Sequence, residues 1–396
     1  MYTQKEVLDY VNEEDVKFVR LAFFDLNGVK KNISIMAGQL ERAFRNGVSF
    51  DASAIYGFES PEKSDLFLYP DPATLCVLPW RPNTGKVVRM FCSIKYADGR
   101  DYERDCRTLL KNTVRRAREE CGVDFFVGTE IEFYLFKLDE NGEPTKNPFD
   151  NAGYMDIAPE DKGENIRREI CFTLEQMGIR PESSHHEEGP GQNEIDFHHA
   201  DAVTAADNAA TFKWVVRTRA ALAGLYADFS PKPLDDKAGS GLHINISCSD
   251  SSKNRHAMAG ILAHAEEMTY YLNCKEDSYD RLGEHKAPKY ICWGEENRLA
   301  FIRVPAVTSE ASRRMEIRSP DCHCNIYLVL NLLINAAVDG IKNKLEPPPM
   351  VPAGFSPDKF ADDKAGKSAL RMLPDTLEAA RKITQSSDFV RKALGF

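Results

Sequence analysis

The sequence predicts an α+β protein in two parts, a small sheet-rich module over residues 1–100 and a larger mixed domain over residues 101–396. Two observations predict it. Up to Lys95 short alternating stretches follow one another between turn signals, and near Asp101 the character changes to long amphipathic segments separated by strands. Several of those later strands carry one apolar face and one face of Glu, His and Arg, as a sheet lining a polar site would.

The elements follow in order. Thr3 and Glu6 form a capping box for a helix reaching about Asn12. Val16 to Asp25 alternates like a strand, Asn27-Gly28 signals a hairpin turn, and Lys31 to Ile35 returns. A short helix over about Met36–Asn46 precedes strands at Asp65 to Tyr69, Thr74 to Leu78 and Lys86 to Ile94. Arg104 to Cys121 is a helix ending at Gly122. The strand Gly128 to Phe136 follows, then a loop with Tyr154 and a helix from Lys162 to Met177. Asp201 to Leu225 is a long helix, and Tyr226 to Pro233 leaves it as a strand. A strand around His243, a helix from about His256 to Asn273 and a polar loop from Arg281 to Pro288 come next. Ala300 to Pro305 is a strand, and Tyr327 to Asn343 a helix stopped by Pro347-Pro348-Pro349. Two short helices near Asp375–Thr384 and Ser387–Leu394 finish the chain. Ala365-Gly366-Lys367-Ser368 has half the look of a P-loop, but the first glycine is missing and no strand precedes it.

Composition sets bounds. With 396 residues, 42% of them hydrophobic and 28% charged, the chain can bury a large core. The net charge is -10 and no basic tract occurs, so nucleic acid is not an expected partner. No signal peptide and no apolar run of membrane-spanning length is present, so no membrane is expected either. The ten cysteines are scattered and read as reduced thiols of a cytoplasmic protein. Cys322-His323-Cys324 looks metal-like but lacks a second pair, and ordinary packing explains it better.

Chemistry begins at Gly128 to Phe136. On a strand, Glu130, Glu132, Tyr134 and Phe136 share one face and Ile131, Phe133 and Leu135 the other. Neighbouring carboxylates repel unless a cation lies between them, and Mg²⁺ and Mn²⁺ prefer carboxylate oxygens. A solvated edge is the plainer reading of that stretch alone, but the pattern recurs. His243, Asn245 and Ser247 share a face, as do Arg314, Glu316 and Arg318, and Glu187 and Glu194 flank a Gly-Pro-Gly turn. Together they suggest a sheet lined with metal ligands and anion-binding guanidiniums.

The arrangement resembles the glutamine synthetase family, bacterial class I type, from the first helix almost to the C-terminus. The matching motifs are Phe50-Asp51-Ala52-Ser53, Gly128 to Phe133, His185-His186-Glu187, Gly191 to Glu194, Gly239 to His243, Asn297-Arg298, Ile302 to Pro305 and Arg314 to Pro320. The resemblance implies an N-terminal β-grasp domain and a catalytic domain whose curved antiparallel sheet lines the active site. It implies hexameric rings, usually stacked in pairs, with each site between neighbouring subunits. It implies transfer of the ATP γ-phosphoryl group to the γ-carboxylate of glutamate, followed by attack of ammonia or another small amine. By residue match, one Mg²⁺ or Mn²⁺ would be held by Glu132, Glu187 and Glu194, and the other by Glu130, His243 and Glu316. Glu182, Asn245, Ser247 and Arg314 match nucleotide contacts, and Gly239, Arg281 and Arg318 match the glutamate pocket. Arg298 and Arg303 match the arginines that hold phosphates. Tyr154, Glu187 and, from a neighbouring subunit, Asp51 match the amine site.

The sequence departs from the pattern at that amine site. Ala54 stands at a serine position, Lys286 at the position of a glutamate on a mobile flap, and Glu284 two places earlier is a possible substitute in a shortened loop. Ala238 replaces an asparagine and Ala311 a lysine. The family continues beyond the position of Phe396 with further helices that join stacked rings, so a single hexamer is expected over a dodecamer. The alternative to a working ligase is a catalytically weak paralogue with a regulatory or scaffolding role. The full ligand set speaks against it, because such residues on one surface are costly without metal.

Overall fold

Thr3 closes the first helix as its sequence requires. Its Oγ1 accepts from Glu6 N at 3.2 Å, and Glu6 Oε2 accepts from Thr3 N at 2.7 Å, at the start of α1 (Gln4–Glu13). The structure, a computed structural model, describes residues 2–352, 354–356 and 370–396. The P-loop-like stretch 365–368 lies outside the described residues. The chain divides into two units. One runs to Lys111 and takes in Phe172–Ile179 and Phe396; the other holds Asn112–Cys171 and Arg180–Gly395.

In the first unit, β1 (Val16–Phe24) and β2 (Lys30–Met36) form the hairpin, turning at Gly28 with φ +74°. α2 (Leu40–Asn46), β3 (Val48–Asp51), β4 (Asp65–Pro70), β5 (Cys76–Val77) and β6 (Lys86–Lys95) complete the unit's main elements. The sheet runs β2-β1-β6-β4-β3, with β1 and β6 parallel and β5 on β6. Val7 and Val11 of α1 and Leu40 and Phe44 of α2 pack into one core with Leu21, Leu68, Val88 and Met90. The strand expected over Thr74–Leu78 shrinks to β5. Asp71 Oδ1 accepts from Ala73 N at 3.2 Å and turns residues 72–74 into a single 3₁₀ turn instead.

α3 (Cys106–Cys121) leads into the second unit. There, β7 (Phe125–Leu138) is the axis of a ten-stranded sheet. Its neighbours are β8 (Pro144–Pro148), β10 (Gln192–Phe197), β11 (Ala200–Asp201), β12 (Leu225–Asp228) and β13 (Leu242–Cys248). The sheet continues through β9 (Pro181–His186) on β10, and through β16 (Met315–Ile317), β15 (Ile302–Val304) and β14 (Trp293–Glu295) beyond β13. All pairings but β14–β15 are antiparallel. The alternation on β7 is as the sequence predicts: Val127, Thr129, Ile131 and Phe133 are buried, while Glu130 and Glu132 are half-buried.

Register decides which polar side chains meet. His243 stands opposite Glu130, Glu194 opposite both Glu132 and His185, and Glu316 opposite both Asn245 and Arg303. A slip of one residue would turn each set to the other face.

Among the described residues the further helices are α4 (Glu164–Gln176), α5 (Ala202–Leu222), α6 (Asn254–Ala263), α7 (Ala265–Leu272), α8 (Asp277–Arg281), α9 (Ile326–Asn343), α10 (Leu377–Ser386) and α11 (Asp388–Leu394). α6 and α9 approach closely: a Cβ on Gly260 would lie 2.0 Å from Ala336 O. The single helix expected over His256–Asn273 is broken at His264, whose ring lies 2.5 Å from Glu267 Oε2 and 3.1 Å from Asp339 Oδ2. The strand expected over Tyr226–Pro233 stops at Asp228, because the Asp228 carboxylate accepts from Ser230 N at 2.7 Å and turns the chain. The ten cysteines are free thiols. Among the described residues no helix is long and apolar enough to cross a membrane.

Candidate active site

Two cavities open along β7. One, of about 500 Å³, is walled by Glu130, Glu132, Glu187, Glu194 and His243, with Arg281, Arg298, Arg303, Arg314 and Arg318. The other, of about 590 Å³, is walled by Glu182, Asn245, Ser247 and Arg314, with Phe126 and His199. Glu130, Asp196 and Arg314 belong to both walls.

Glu130, His243 and Glu316 place donor atoms within 4.8 Å of one another. His243 Nδ1 is 3.3 Å from Glu130 Oε2 and 3.7 Å from Glu316 Oε1. Such spacing fits a shared divalent ion, whose ligands stand about 2.1 Å from it for Mg²⁺. Asn245 Nδ2 donates to Glu130 Oε1 at 2.8 Å, and Arg314 Nε donates to Asn245 Oδ1 at 2.9 Å. Burial alone would raise the Glu130 carboxyl, but the His243 and Asn245 bonds and the Arg318 charge hold it down to about 2. Glu316 is fully buried and bound by two guanidiniums, Arg303 at 2.6 Å and Arg318 on its other oxygen. Arg303 Nε is buried with no hydrogen-bond partner, a donor suited to an anion.

The second acidic group differs in detail from the set the resemblance implies. His185, Glu187 and Glu194 gather their donors within 4.8 Å. Glu132 instead accepts from Gly241 N at 2.8 Å and Gln192 Nε2 at 3.3 Å. Glu132 is still close enough to be felt: burial first, then the Glu132 charge, raises the carboxyls of Glu187 and Glu194. Crowded carboxylates without a cation fit a metal, which would relieve that repulsion. His185 was not among the expected ligands. The signal was there, since His185 and Glu187 sit two residues apart and so share a face.

Gly239 and Gly241 leave no room for a side chain, and a Cβ on Gly239 would lie 2.4 Å from Pro231 O. A Cβ on Gly241 would lie 2.7 Å from both His243 Nε2 and Arg281 Nη2. Gly239 O accepts from Gln192 Nε2 at 3.1 Å. Arg281 ends α8, is buried, and donates to Ser319 O at 2.8 Å and Arg318 O at 3.1 Å.

Asp150, four residues before Tyr154, belongs to a buried network. His186 Nε2 is 2.8 Å from Asp150 Oδ1, which also accepts from Gly191 N at 2.9 Å. Arg167 Nη2 donates to Asp161 Oδ2 at 2.6 Å and Nη1 to Asn193 Oδ1 at 2.6 Å. Asp150, Asp161 and His186 also cluster as metal ligands do, but these donors already occupy them. The Tyr154 ring lies 5.5 Å from that of His185, and Lys286 Nζ lies 5.9 Å from its centroid while pairing with Glu188. Lys286 and Glu284 therefore both line this cavity.

Asp51 belongs to the first unit and to neither wall. It is exposed at the end of β3, its Oδ1 accepting from Ser53 N at 2.9 Å and Ser53 Oγ at 2.6 Å. Phe126 and His199, which sequence reasoning passed over, pack edge to face with ring centroids 6.2 Å apart. Phe126 lies on the same strand face as Glu130, and that parity was its only signal.

Comparison with known proteins agrees with this architecture. Residues 15–97 match the model of the glutamine synthetase beta-Grasp domain, and residues 103–396 that of the glutamine synthetase catalytic domain. The chain is 42% identical to the glutamine synthetase of Methanosarcina mazei, over 99% of this chain and 91% of that one. It is 42% identical to that of Clostridium saccharobutylicum, over 100% and 92%. A solved GmaS/ADP complex superposes with a TM-score of 0.87 at 25% identity, covering 98% of this chain and 92% of the other. The cryo-EM structure of Plasmodium falciparum glutamine synthetase shares the fold, with a TM-score of 0.87 at 23% identity, covering 100% and 95%. With both domains matched and two-fifths of its residues shared along almost its whole length, the chain belongs to the glutamine synthetase family, ATP-dependent ligases that form C–N bonds.

Proposed function

We propose that this protein is a glutamate–amine ligase that forms γ-glutamyl phosphate from ATP and glutamate and passes the acyl group to ammonia, giving glutamine, or to another small amine. The carrying observation is that Glu130 and Arg314 stand in both cavity walls. A nucleotide seated in the second cavity could direct its phosphates past them into the first.

The residue roles follow that reading. Glu182, Asn245, Ser247 and Arg314 hold the nucleotide, and Gly239, Arg281 and Arg318 hold glutamate. Glu130, His243 and Glu316 bind one metal, and Glu132, Glu187 and Glu194 the other, with His185 beside them. Mg²⁺ or Mn²⁺ in these sets supplies the positive charge that lets a carboxylate approach a triphosphate. Arg298 and Arg303 bind the transferred phosphoryl oxygens. A γ-carboxylate oxygen of glutamate attacks the γ-phosphorus, the bond from that phosphorus to the bridging oxygen breaks, and ADP leaves. The amine nitrogen then attacks the acyl carbon, the carbon–oxygen bond breaks, and phosphate leaves. Tyr154 positions the amine, and Glu187 and a neighbour's Asp51 take up its surplus proton.

That use of Asp51 requires neighbouring subunits, as in a hexameric ring; we place the protein in the cytoplasm, with its domains dividing at residue 100. Two complete donor sets argue against a binding protein without turnover. The test is ATP- and glutamate-dependent phosphate release across a panel of amines that includes ammonia, with the product identified chromatographically. Release with no amine in the panel would refute the ligase reading.

A further inference from the structure

Lys286 sits on the loop that follows α8 and closes one side of the first cavity. The loop is folded back by two turns, Glu284 N to Arg281 O at 3.1 Å and Ala287 N to Glu284 O at 2.9 Å, with His285 at φ +47°. Its Nζ pairs with Glu188, on the turn between β9 and β10, and faces the Tyr154 ring at 5.9 Å. The side chains of Lys286 and Glu188 are 52% and 34% exposed, so the pair is screened and adds little to stability. Its position is what distinguishes it. A carboxylate and an aromatic face are the features that would attract a small cationic amine to this corner, and one lysine engages both.

We infer that Lys286 is a tethered cation that sets acceptor selectivity, handicapping amines that arrive positively charged relative to amines that arrive neutral. This rests on the ligase reading and concerns the amine half alone. An incoming ammonium must displace Lys286 Nζ from Glu188 and Tyr154, or enter beside a like charge. An uncharged amine meets neither obstacle. Glu187, Glu284, His185 and His285 also line this cavity.

The experiment compares full-length wild type with Lys286→Gln and Lys286→Arg at saturating ATP and glutamate. The acceptors are ammonium, methylammonium and hydroxylamine, the last uncharged at neutral pH. With Lys286→Gln the KM for both cations should fall about fivefold, the size of effect an exposed ion pair sustains. The KM for hydroxylamine, ATP and glutamate should stay within about twofold on the same scale. Lys286→Arg, which keeps the charge, should keep wild-type selectivity. Unchanged KM for the cations in Lys286→Gln would overturn the inference, as would a parallel shift for hydroxylamine. Absence of turnover with every acceptor in all three proteins would instead overturn the ligase reading and this inference with it.

Discussion

Arg303 Nη1 lies 2.6 Å from Glu316 Oε2, and Arg318 binds the other oxygen of the same buried carboxylate. Adjacent strands impose the first contact, since Arg303 and Glu316 are register partners, and one strand imposes the second, since Glu316 and Arg318 are two residues apart. Glu316 is thus fixed and compensated before any ligand arrives. A metal joining Glu130, His243 and Glu316 would share that carboxylate with Arg303, leaving Arg303 donors for phosphate oxygens.

Glu130→Ala and His243→Ala should each lower phosphoryl transfer by about 10²-fold or more, if both hold the proposed metal ion. Chelation should abolish turnover, and Mg²⁺ or Mn²⁺ should restore it. ADP release against metal concentration checks this; metal-dependent turnover at the wild-type level in either variant would refute the donor set.

Arg303→Ala should act on both stability and activity. It removes one partner of a buried carboxylate, leaving it Arg318 and the His243 ring at 3.7 Å, and so should cost about 1–3 kcal/mol in urea denaturation. Turnover should fall further than in Arg303→Lys, which keeps the charge but not the fork.

The buried network of Asp150, Asp161 and Arg167 should be structural first. Arg167→Met leaves Asp161 buried without its guanidinium and should destabilise by about 3–5 kcal/mol. Denaturation midpoints would show it, and an unaltered midpoint would mean the network is dispensable.

Asp71 gives a pH dependence in the first unit. Burial pushes its carboxyl up, but Arg107 at 3.0 Å and Lys111 at 3.4 Å more than offset this, so its pKa is lowered on folding. A lowered pKa contributes stability that is present above the unfolded-state value and lost as pH falls through the folded one. Asp71→Asn should therefore cost about 1 kcal/mol at pH 7, with the gap to wild type closing below about pH 4. Urea midpoints at both pH values check this, and a gap that widens on acidification would contradict it.

Assembly is the last test. If Asp51 serves a neighbour's site, light scattering should give a mass near six times the 44.6 kDa subunit. Asp51→Ala and Glu130→Ala proteins, each inactive, should regain partial activity when dissociated and reassembled together. Full activity from a monomer would dismiss the shared site.

Much of the site was legible because strands encode facing by parity. Glu130 with Glu132, His243 with Asn245, and Arg314 with Glu316 could be assigned to one polar face from spacing alone. A helix start was legible where side chains make the cap, as at Thr3 and Glu6. The break at His264 was not, since it depends on Asp339, 75 residues away in sequence. His185 was overlooked as a donor although its parity with Glu187 announced it.

By itself, then, the sequence determined which residues share a face and which chemistry that face carries. Side-chain period and residue type are local properties of the chain. Only the tertiary structure decided which faces meet: Glu316 against Arg303, Glu194 against His185 rather than Glu132 alone in the described cluster, and Lys286 over Tyr154. Those partners are set by strand register and by loops returning to the sheet, which no single segment specifies.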